Sequence, residues 1–411
     1  MKKEIIFIGT GPANIFALIK LLKGGYKGKI LLIEKGKGPY DRQPNEVING
    51  WFGAGTYSDC KIILSTIAGG TIAQYLTPKM IEELDKEFIN ILLEFHPELP
   101  IPIESDREEF LHFENQINLV IHVGTDYSRI VGKKIYDWIS TFKNVELKFG
   151  EEVSNIEYRP SEKFIYKIKT NLNSYEGNFV VLGTGKSGIT LSKQITEDFK
   201  IKLKPKPIQI GIRVEVPFEI TQHLTDKYYD FKLKLKVGDI EVRSFCVSPK
   251  GEVIEENQYN NITYNGGSYK DKKTDKTNFG IICSFQPNEN SFQLQRKIVS
   301  NFNKLDRQLL NGISFNQFMV NSLYKEIFSK EIHYSLYEWM TKFENICPGF
   351  LSSVKIYVPE VKYSTDIFPL DKSFQLEKYP DFFIIGDTSI SRGIYQSVLS
   401  GLHVGNILLK R

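Results

Sequence analysis

Residues 1–36, MKKEIIFIGTGPANIFALIKLLKGGYKGKILLIEKG, read as a strand, a glycine turn, a helix and a second strand, and this reading decides the rest. The apolar run Ile5 to Ile8 is short enough for a buried parallel strand. It enters Gly9-Thr10-Gly11-Pro12-Ala13-Asn14, in which Gly9 permits a tight turn and Gly11 lets backbone approach a pyrophosphate. The N–H groups that open the next helix give that pyrophosphate a partly positive end, and Pro12 suits a first helical turn. Ile15, Leu18, Ile19 and Leu22 recur at helical spacing, and Gly24-Gly25 stop the helix before the strand Ile30 to Ile33. Glu34 ends that strand about 20 residues after the turn, where a carboxylate can accept hydrogen bonds from ribose hydroxyls. Asn14 stands where the third glycine of a GxGxxG turn belongs, and a backbone or cofactor contact is expected there.

The chain of 411 residues is long enough for two or three domains. Its 41% hydrophobic and 13% aromatic content is that of a globular protein, and a net charge of +4 gives no argument for nucleic acid or a membrane. Cys60, Cys246, Cys283 and Cys347 are scattered without a CxxC pair, so neither a disulfide framework nor a zinc site is expected and a reducing cytoplasm fits. The apolar run after the first lysines breaks at Gly9, and no stretch reaches the roughly 18 apolar residues of a spanning helix, so a soluble chain is expected.

Outward from the opening, Asn49 to Lys61 packs three glycines and several hydroxyl side chains into one span, as backbone held against something large would require. Thr77 is a candidate N-cap for a helix from Pro78 to His96. A strand from Leu119 leads through Gly124 into another helix, and strand-like segments between Val145 and Phe179 form a three-stranded antiparallel excursion. The excursion returns into the strand Phe179 to Leu182 and Gly183-Thr184-Gly185-Lys186-Ser187-Gly188. That cluster could open a separate NAD(P)H domain, or it could be the turn at which the first nucleotide domain passes its cofactor. The second reading is preferred, because residues 200–207, KIKLKPKP, supply no strand with a terminal acid or arginine.

Residues 208–370 read as an antiparallel sheet with two amphipathic helices, Phe292 to Leu310 and Lys330 to Asn345. The alternation Lys232 to Lys236 predicts a strand with its lysines on a solvated face, and Asp271 to Asn278 a polar loop. The chain closes on the apolar strand Phe382 to Ile385, Gly386-Asp387, and a helix from Gly393. An aspartate placed between a buried strand and a helix N-terminus can bind a sugar hydroxyl while the helix end faces negative charge. A cofactor touched by both ends and the middle of a chain is long and enclosed, which describes FAD better than a dissociable nicotinamide.

GTGPAN, VVLGTGKSG and FFIIGDTSISRGIYQSVLSGLHVGN together resemble the FAD-binding halves of glutathione reductase-type flavoproteins. The segments FGAGTYSDCK (52–61), STIAGG (65–70), VGTDYSRIV (123–131), PIQIGIRVE (207–215) and RSFCVSPKGEV (243–253) resemble a family of FAD-dependent dehydrogenases. Cys60 and Lys250 depart from it where glycine is usual, and Ser248 where a second cysteine is frequent. The resemblance implies an α/β fold: a Rossmann-like FAD/NAD(P)-binding domain (parallel sheet plus the antiparallel excursion) with an inserted α+β substrate domain. The expected boundaries are 1–66, 116–200 and 371–411 for the FAD domain, 67–115 for a helical insertion and 201–370 for the substrate domain.

The implied function is hydride transfer between FAD and a small molecule, with NADH or NADPH as a transient reductant. In this picture Gly9, Gly11, Pro12, Ala13 and Asn14 hold pyrophosphate, while Glu34 and Lys35 hold the adenosine ribose region. Gly55, Thr56, Ser58 and Asp59 line the flavin, and Gly183, Thr184 and Gly185 pass beside it. Gly386 and Asp387 bind the ribityl or pyrophosphate region, and Gly393 and Ile394 place a helix end near the flavin pyrimidine. Cys60, Lys61, Cys246 and Tyr395 are catalytic candidates by position alone; the histidines are read as structural. A flavin monooxygenase using NADPH and oxygen, and an RNA-modifying or non-catalytic flavin-binding module, stay open beside the oxidoreductase reading.

Overall fold

Ile5–Ile8 is buried at every position and lies at the centre of a parallel sheet in the computed structural model. The structure describes residues 4–43, 46–58, 60–66, 70–99, 113–115, 119–204, 206–269, 272–363 and 366–411. The chain divides into two compact units, one of residues 1–102, 121–204 and 365–411, the other of residues 103–120 and 205–364.

In the first unit the strand order is Phe382–Ile384, Phe179–Leu182, Ile5–Ile8, Ile30–Glu34 and Val145–Phe149, all parallel. Ile5 faces Phe179 on one side and Ile30 on the other, so the first and middle glycine clusters leave the same edge of one sheet. The turn at 183–188 is therefore the exit of this sheet and not the opening of a second one. The antiparallel excursion forms as expected, from Val153–Tyr158, Tyr166–Thr170 and Ser174–Gly177. Thr77 caps the helix Pro78–Phe95 by accepting from Met80 N at 3.3 Å, and this helix belongs to the parallel-sheet unit.

The opening helix, Pro12–Lys23, is buried beyond the predicted face, because Phe16, Ala17 and Leu21 are covered as well as Ile15, Leu18, Ile19 and Leu22. Phe16 meets Phe88 edge-on at 5.3 Å. The closing helix, Gly393–Leu409, covers another side, and glycine sets how closely it comes. A Cβ at Gly401 would lie 2.0 Å from the Ala13 carbonyl oxygen, and one at Gly405 would lie 2.8 Å from Lys20 Cβ. Each large apolar side chain sealed between these helices contributes about 1.5–3 kcal/mol.

The second unit contains an antiparallel sheet with the order Ile313–Ser314, Lys355–Val361, Ile208–Pro217, Lys276–Phe285, Ile240–Ser248, Leu233–Val237 and Glu114–Asn115. Three expectations are corrected here. The helix begun at Ser291 ends at Phe302 and gives way to a short 3-10 turn, Arg307–Leu309. Thr277 and Asn278, expected in a polar loop, are buried in the strand Lys276–Phe285; Asp271 lies outside the described residues. Lys232 is buried rather than solvated, because it precedes the strand and pairs with Asp230 at 2.5 Å. Among the described residues no helix is long and apolar enough to cross a membrane.

Gly401→Ala should lower the stability of the parallel-sheet unit by about 1–3 kcal/mol through overpacking. Asn406→Ala, on the half-exposed side of the same helix, should stay within about 0.5 kcal/mol. Thermal and denaturant unfolding of the two variants would check this difference.

Candidate functional site at the edge of the parallel sheet

The glycine turn after the first strand is shaped by what crosses it. Gly9 has φ +92°, and a Cβ there would lie 2.7 Å from the Gly183 carbonyl oxygen. Gly11 caps the opening helix with extended backbone, and neither a capping side chain nor an acidic residue occupies its first turn. The closing helix is likewise without a side-chain cap or a first-turn acid, and its N-cap is Arg392, a cation at the positive end of a helix. Burial lowers the Arg392 pKa, and Asp387 opposes that shift.

Asn14, the departure from the glycine pattern, has a structural role. It is fully buried, and its Nδ2 donates to the Ile8 and Gly9 carbonyls at 2.8 Å each, stitching the end of the first strand to the helix. Among the described residues its Oδ1 has no hydrogen-bond partner, and a Cβ at Gly183 would lie 2.5 Å from that atom. Thr184 Oγ1 and Ser391 Oγ are likewise buried without a hydrogen-bond partner among the described residues. Each such group costs about 1–3 kcal/mol. A polar guest with donors and acceptors would recover part of that cost, so the orphaned atoms, the two uncapped helix ends and the glycine cradle all fit a dinucleotide.

Glu34 is engaged differently from expectation. Its Oε2 accepts from Thr10 N and Thr10 Oγ1 at 2.9 Å each, and its Oε1 from Gly36 N at 2.8 Å and Gly50 N at 3.1 Å. A carboxylate has about four lone-pair positions, and all are used by the protein. Glu34 therefore ties the glycine turn to the following loop, and a ribose hydroxyl would have to replace one of these donors. Lys35 donates to the Ser187 carbonyl at 3.0 Å, linking the second strand to the middle turn.

The middle and closing turns also meet. Gly185 N donates to Thr388 Oγ1 at 2.9 Å, Lys186 pairs with Asp387 at 3.8 Å, and Gly386 N donates to Ser400 Oγ at 3.0 Å. Gly386 has φ +66°, and a Cβ there would lie 3.0 Å from Ala13 Cβ.

Gly55 to Ser58 forms one short helical turn, docked by Thr125 Oγ1 on the Ser58 carbonyl and Ser128 Oγ on the Thr56 carbonyl. Phe52 N donates to the Thr10 carbonyl at 3.0 Å, which lays this loop on the glycine turn. Phe52, Thr56, Cys60 and Ile394 share a small cavity of about 20 Å³ with Phe16. Asp59 lies outside the described residues. The residue that organises the loop, Arg42, gives no signal in the sequence. Its guanidinium donates to the carbonyls of Glu46, Val47, Trp51 and Gly53 at 2.5–3.0 Å and lies 3.7 Å over the Tyr57 ring, with its pKa pushed down to about 10 by burial.

The catalytic candidates separate. Cys60, Lys61 and Tyr395 belong to the parallel-sheet unit, Cys246 to the other. Cys60 and Lys61 are buried, and Tyr395 is buried with its pKa raised, first by desolvation and then by Asp85. Cys60 and Lys250, which replace glycines of the resembled family, have φ +46° and +51°. Both occupy the left-handed region that favours glycine. Cys246, at φ +49°, is half-buried. Burial raises the pKa of Cys283, and pushes that of Cys347 up to about 12.

No family model matches the chain. A curated Clostridium beijerinckii protein, described as uncharacterized, is 24% identical over 307 residues, covering 70% of this chain and 53% of its own length. The chain thus spans about half the length of the curated relative it matches. A flavoprotein/dehydrogenase from Cytophaga hutchinsonii is a structural neighbour at TM-score 0.48 and 12% identity, covering 100% of this chain and 78% of its own. A candidate FAD-containing monooxygenase from Photorhabdus luminescens has TM-score 0.49, 9% identity and coverages of 99% and 88%. CtdE in complex with FAD has TM-score 0.45, 13% identity and coverages of 100% and 84%.

Glu34→Gln should destabilise the parallel-sheet unit by about 1–3 kcal/mol, since its amide turns a donor toward backbone donors. An unchanged unfolding midpoint would show that the four bonds to Glu34 contribute nothing. Under native conditions a thiol reagent should label Cys246 first, and Cys246→Ser should remove that fast phase.

Proposed function

We propose that the parallel-sheet unit binds FAD and that the protein is an FAD-dependent oxidoreductase acting on a small-molecule substrate. The observation that carries this reading is the convergence of three glycine turns, 9–11, 183–185 and 386, with the uncapped starts of two buried helices at one edge of one parallel sheet. Bound FAD supplies hydride acceptance and donation. The chain's contribution is orientation and charge. The N–H groups beyond Gly11, with Pro12 and Ala13 setting the first turn, face a pyrophosphate. Thr184 Oγ1 offers it a hydroxyl donor, while Asn14, with its Nδ2 donating to the Ile8 and Gly9 carbonyls, holds the turn in shape.

Glu34 holds the turn in shape and, on exchange of one donor, accepts from a ribose; Lys35 braces the same corner. Asp387 faces a sugar hydroxyl and is kept in place by Lys186. Gly393 and Ile394 open the closing helix, whose positive end, reinforced by Arg392, favours negative charge on a reduced ring system. Gly55, Thr56 and Ser58 form the wall carried by Arg42. Because the 183–188 turn is spent within this sheet, NADH or NADPH would act as a transient visitor rather than the tenant of its own domain.

Purified protein, or protein reconstituted with FAD, should show the absorption bands of oxidised flavin, and anaerobic NADH or NADPH should bleach them. A colourless protein that does not take up FAD would overturn the reading. Bleaching by neither nicotinamide would remove the proposed reductant while leaving the cofactor assignment standing.

A further inference from the structure

In the parallel-sheet unit, the helices Pro78–Phe95 and Thr125–Ser140 enclose a cavity against the loop of residues 52–60. It measures about 20 Å³, room for one small molecule, since a single water already needs roughly 10–15 Å³. Close-packed interiors contain few gaps of this size. Phe16, Phe52, Phe88, Ile62, Leu92 and Leu99, all buried, form most of its wall. Thr56 and Ser128 also reach the wall, but their hydroxyls are spent on the backbone. Thr56 Oγ1 donates to the Phe52 carbonyl at 2.5 Å and Ser128 Oγ to the Thr56 carbonyl. A trapped water asks for about two to four polar partners, so these walls favour an apolar guest.

The cavity lies one side chain away from an opening to solvent. His96 and Val131 line both it and an open pocket of about 230 Å³ at the end of the helix Pro78–Phe95. That outer pocket takes in Phe95, Tyr127 and Ile130, and Ile130 is 51% exposed. The His96 backbone is held, because its N–H donates to the Leu92 carbonyl at 2.7 Å and its carbonyl accepts from Leu99 N at 3.1 Å. Its ring lies 5.7 Å from that of Tyr127. Rotation of the His96 and Val131 side chains therefore suffices to pass a diatomic molecule, and no backbone hydrogen bond breaks.

The wall also includes Thr56 and Ile394. Thr56 belongs to the short turn Gly55–Ser58, and Ile394 opens the closing helix. The two segments touch, since a Cβ at Gly55 would lie 3.3 Å from Ile394 Cγ1. In the FAD reading both border the flavin, so the cavity backs onto the wall of the cofactor site.

We propose that this cavity is a binding site for a small apolar gas, dioxygen, held behind the wall that carries Thr56 and Ile394. Dioxygen is diatomic and apolar and asks for no hydrogen bond. A water would forfeit bonds there, and an apolar cavity that takes benzene is far larger, about 150 Å³. The site is argued from the cavity alone, while its use beside a flavin rests on the FAD reading.

Methyl-resolved NMR of the full chain under pressurised dioxygen, with nitrogen at the same pressure as the blank, tests it, because dioxygen is paramagnetic and speeds the relaxation of nuclei it touches. The methyl groups of Ile62, Leu92, Val131 and Ile394 should gain several-fold more relaxation than those of Ile168 and Val180, which are fully buried in the same unit without lining the cavity. Val131→Leu, which adds a methylene at the cavity, should remove the gain at Ile62, Leu92 and Ile394, and Val131→Ala should keep it. Lining methyls that relax no faster than the two controls would overturn the proposal, as would a gain that Val131→Leu leaves untouched in a protein with wild-type circular dichroism. Should Val131→Leu fail to fold, the wild-type contrast decides. FAD uptake by the same protein is read separately from its absorption: a gain without FAD uptake supports the site and ends its link to a flavin, and FAD uptake without a gain overturns the site and leaves the FAD reading standing.

Discussion

The close approach of Gly9 to Gly183 is the constraint on which the parallel-sheet unit depends. With a Cβ at Gly9 only 2.7 Å from the Gly183 carbonyl oxygen, no side chain fits between the first and middle strands where they leave the sheet. The same economy of atoms recurs between the two long helices, where Gly401 lies against the Ala13 backbone. These approaches set the start of the opening helix against Gly401 of the closing helix, and both helices begin with partly positive N–H groups and no acidic residue in the first turn. Packing and charge are thus set by the same glycines.

Polar stitching then fixes the edge. Asn14 fills a place that glycine would leave open and holds two carbonyls of the strand end, while Glu34 gathers donors from the turn and from the following loop. Arg42 does the same for the loop itself by binding four carbonyls. A buried guanidinium so engaged is a scaffold, because its donors are consumed by backbone carbonyls of the loop.

The strand, turn and helix of residues 1–36 were legible because periodicity and glycine placement are local signals. The Thr77 cap and the antiparallel excursion were legible for the same reason. What escaped the sequence depends on side-chain contacts that no periodicity or motif marks, even where the partners are near in the chain. Lys232 looked solvated from its alternation, yet Asp230 and the ring of Phe245 draw it inside. Asn14 makes the backbone contact expected at its place, with the Ile8 and Gly9 carbonyls, whereas no motif announces Arg42 as a clamp. The left-handed conformations of Cys60 and Lys250 explain why glycine was expected at both places, although only the backbone angles reveal it.

The account stands on the glycine turn as the place where FAD is held. Quenching of FAD fluorescence by apoprotein tests this most directly, comparing the wild type with Gly11→Val and with Lys250→Ala, a change in the other unit. The account predicts tight FAD binding that Lys250→Ala retains and Gly11→Val loses by at least about a hundredfold, since a branched side chain blocks backbone approach to pyrophosphate. FAD bound equally well by the folded Gly11→Val protein would contradict it.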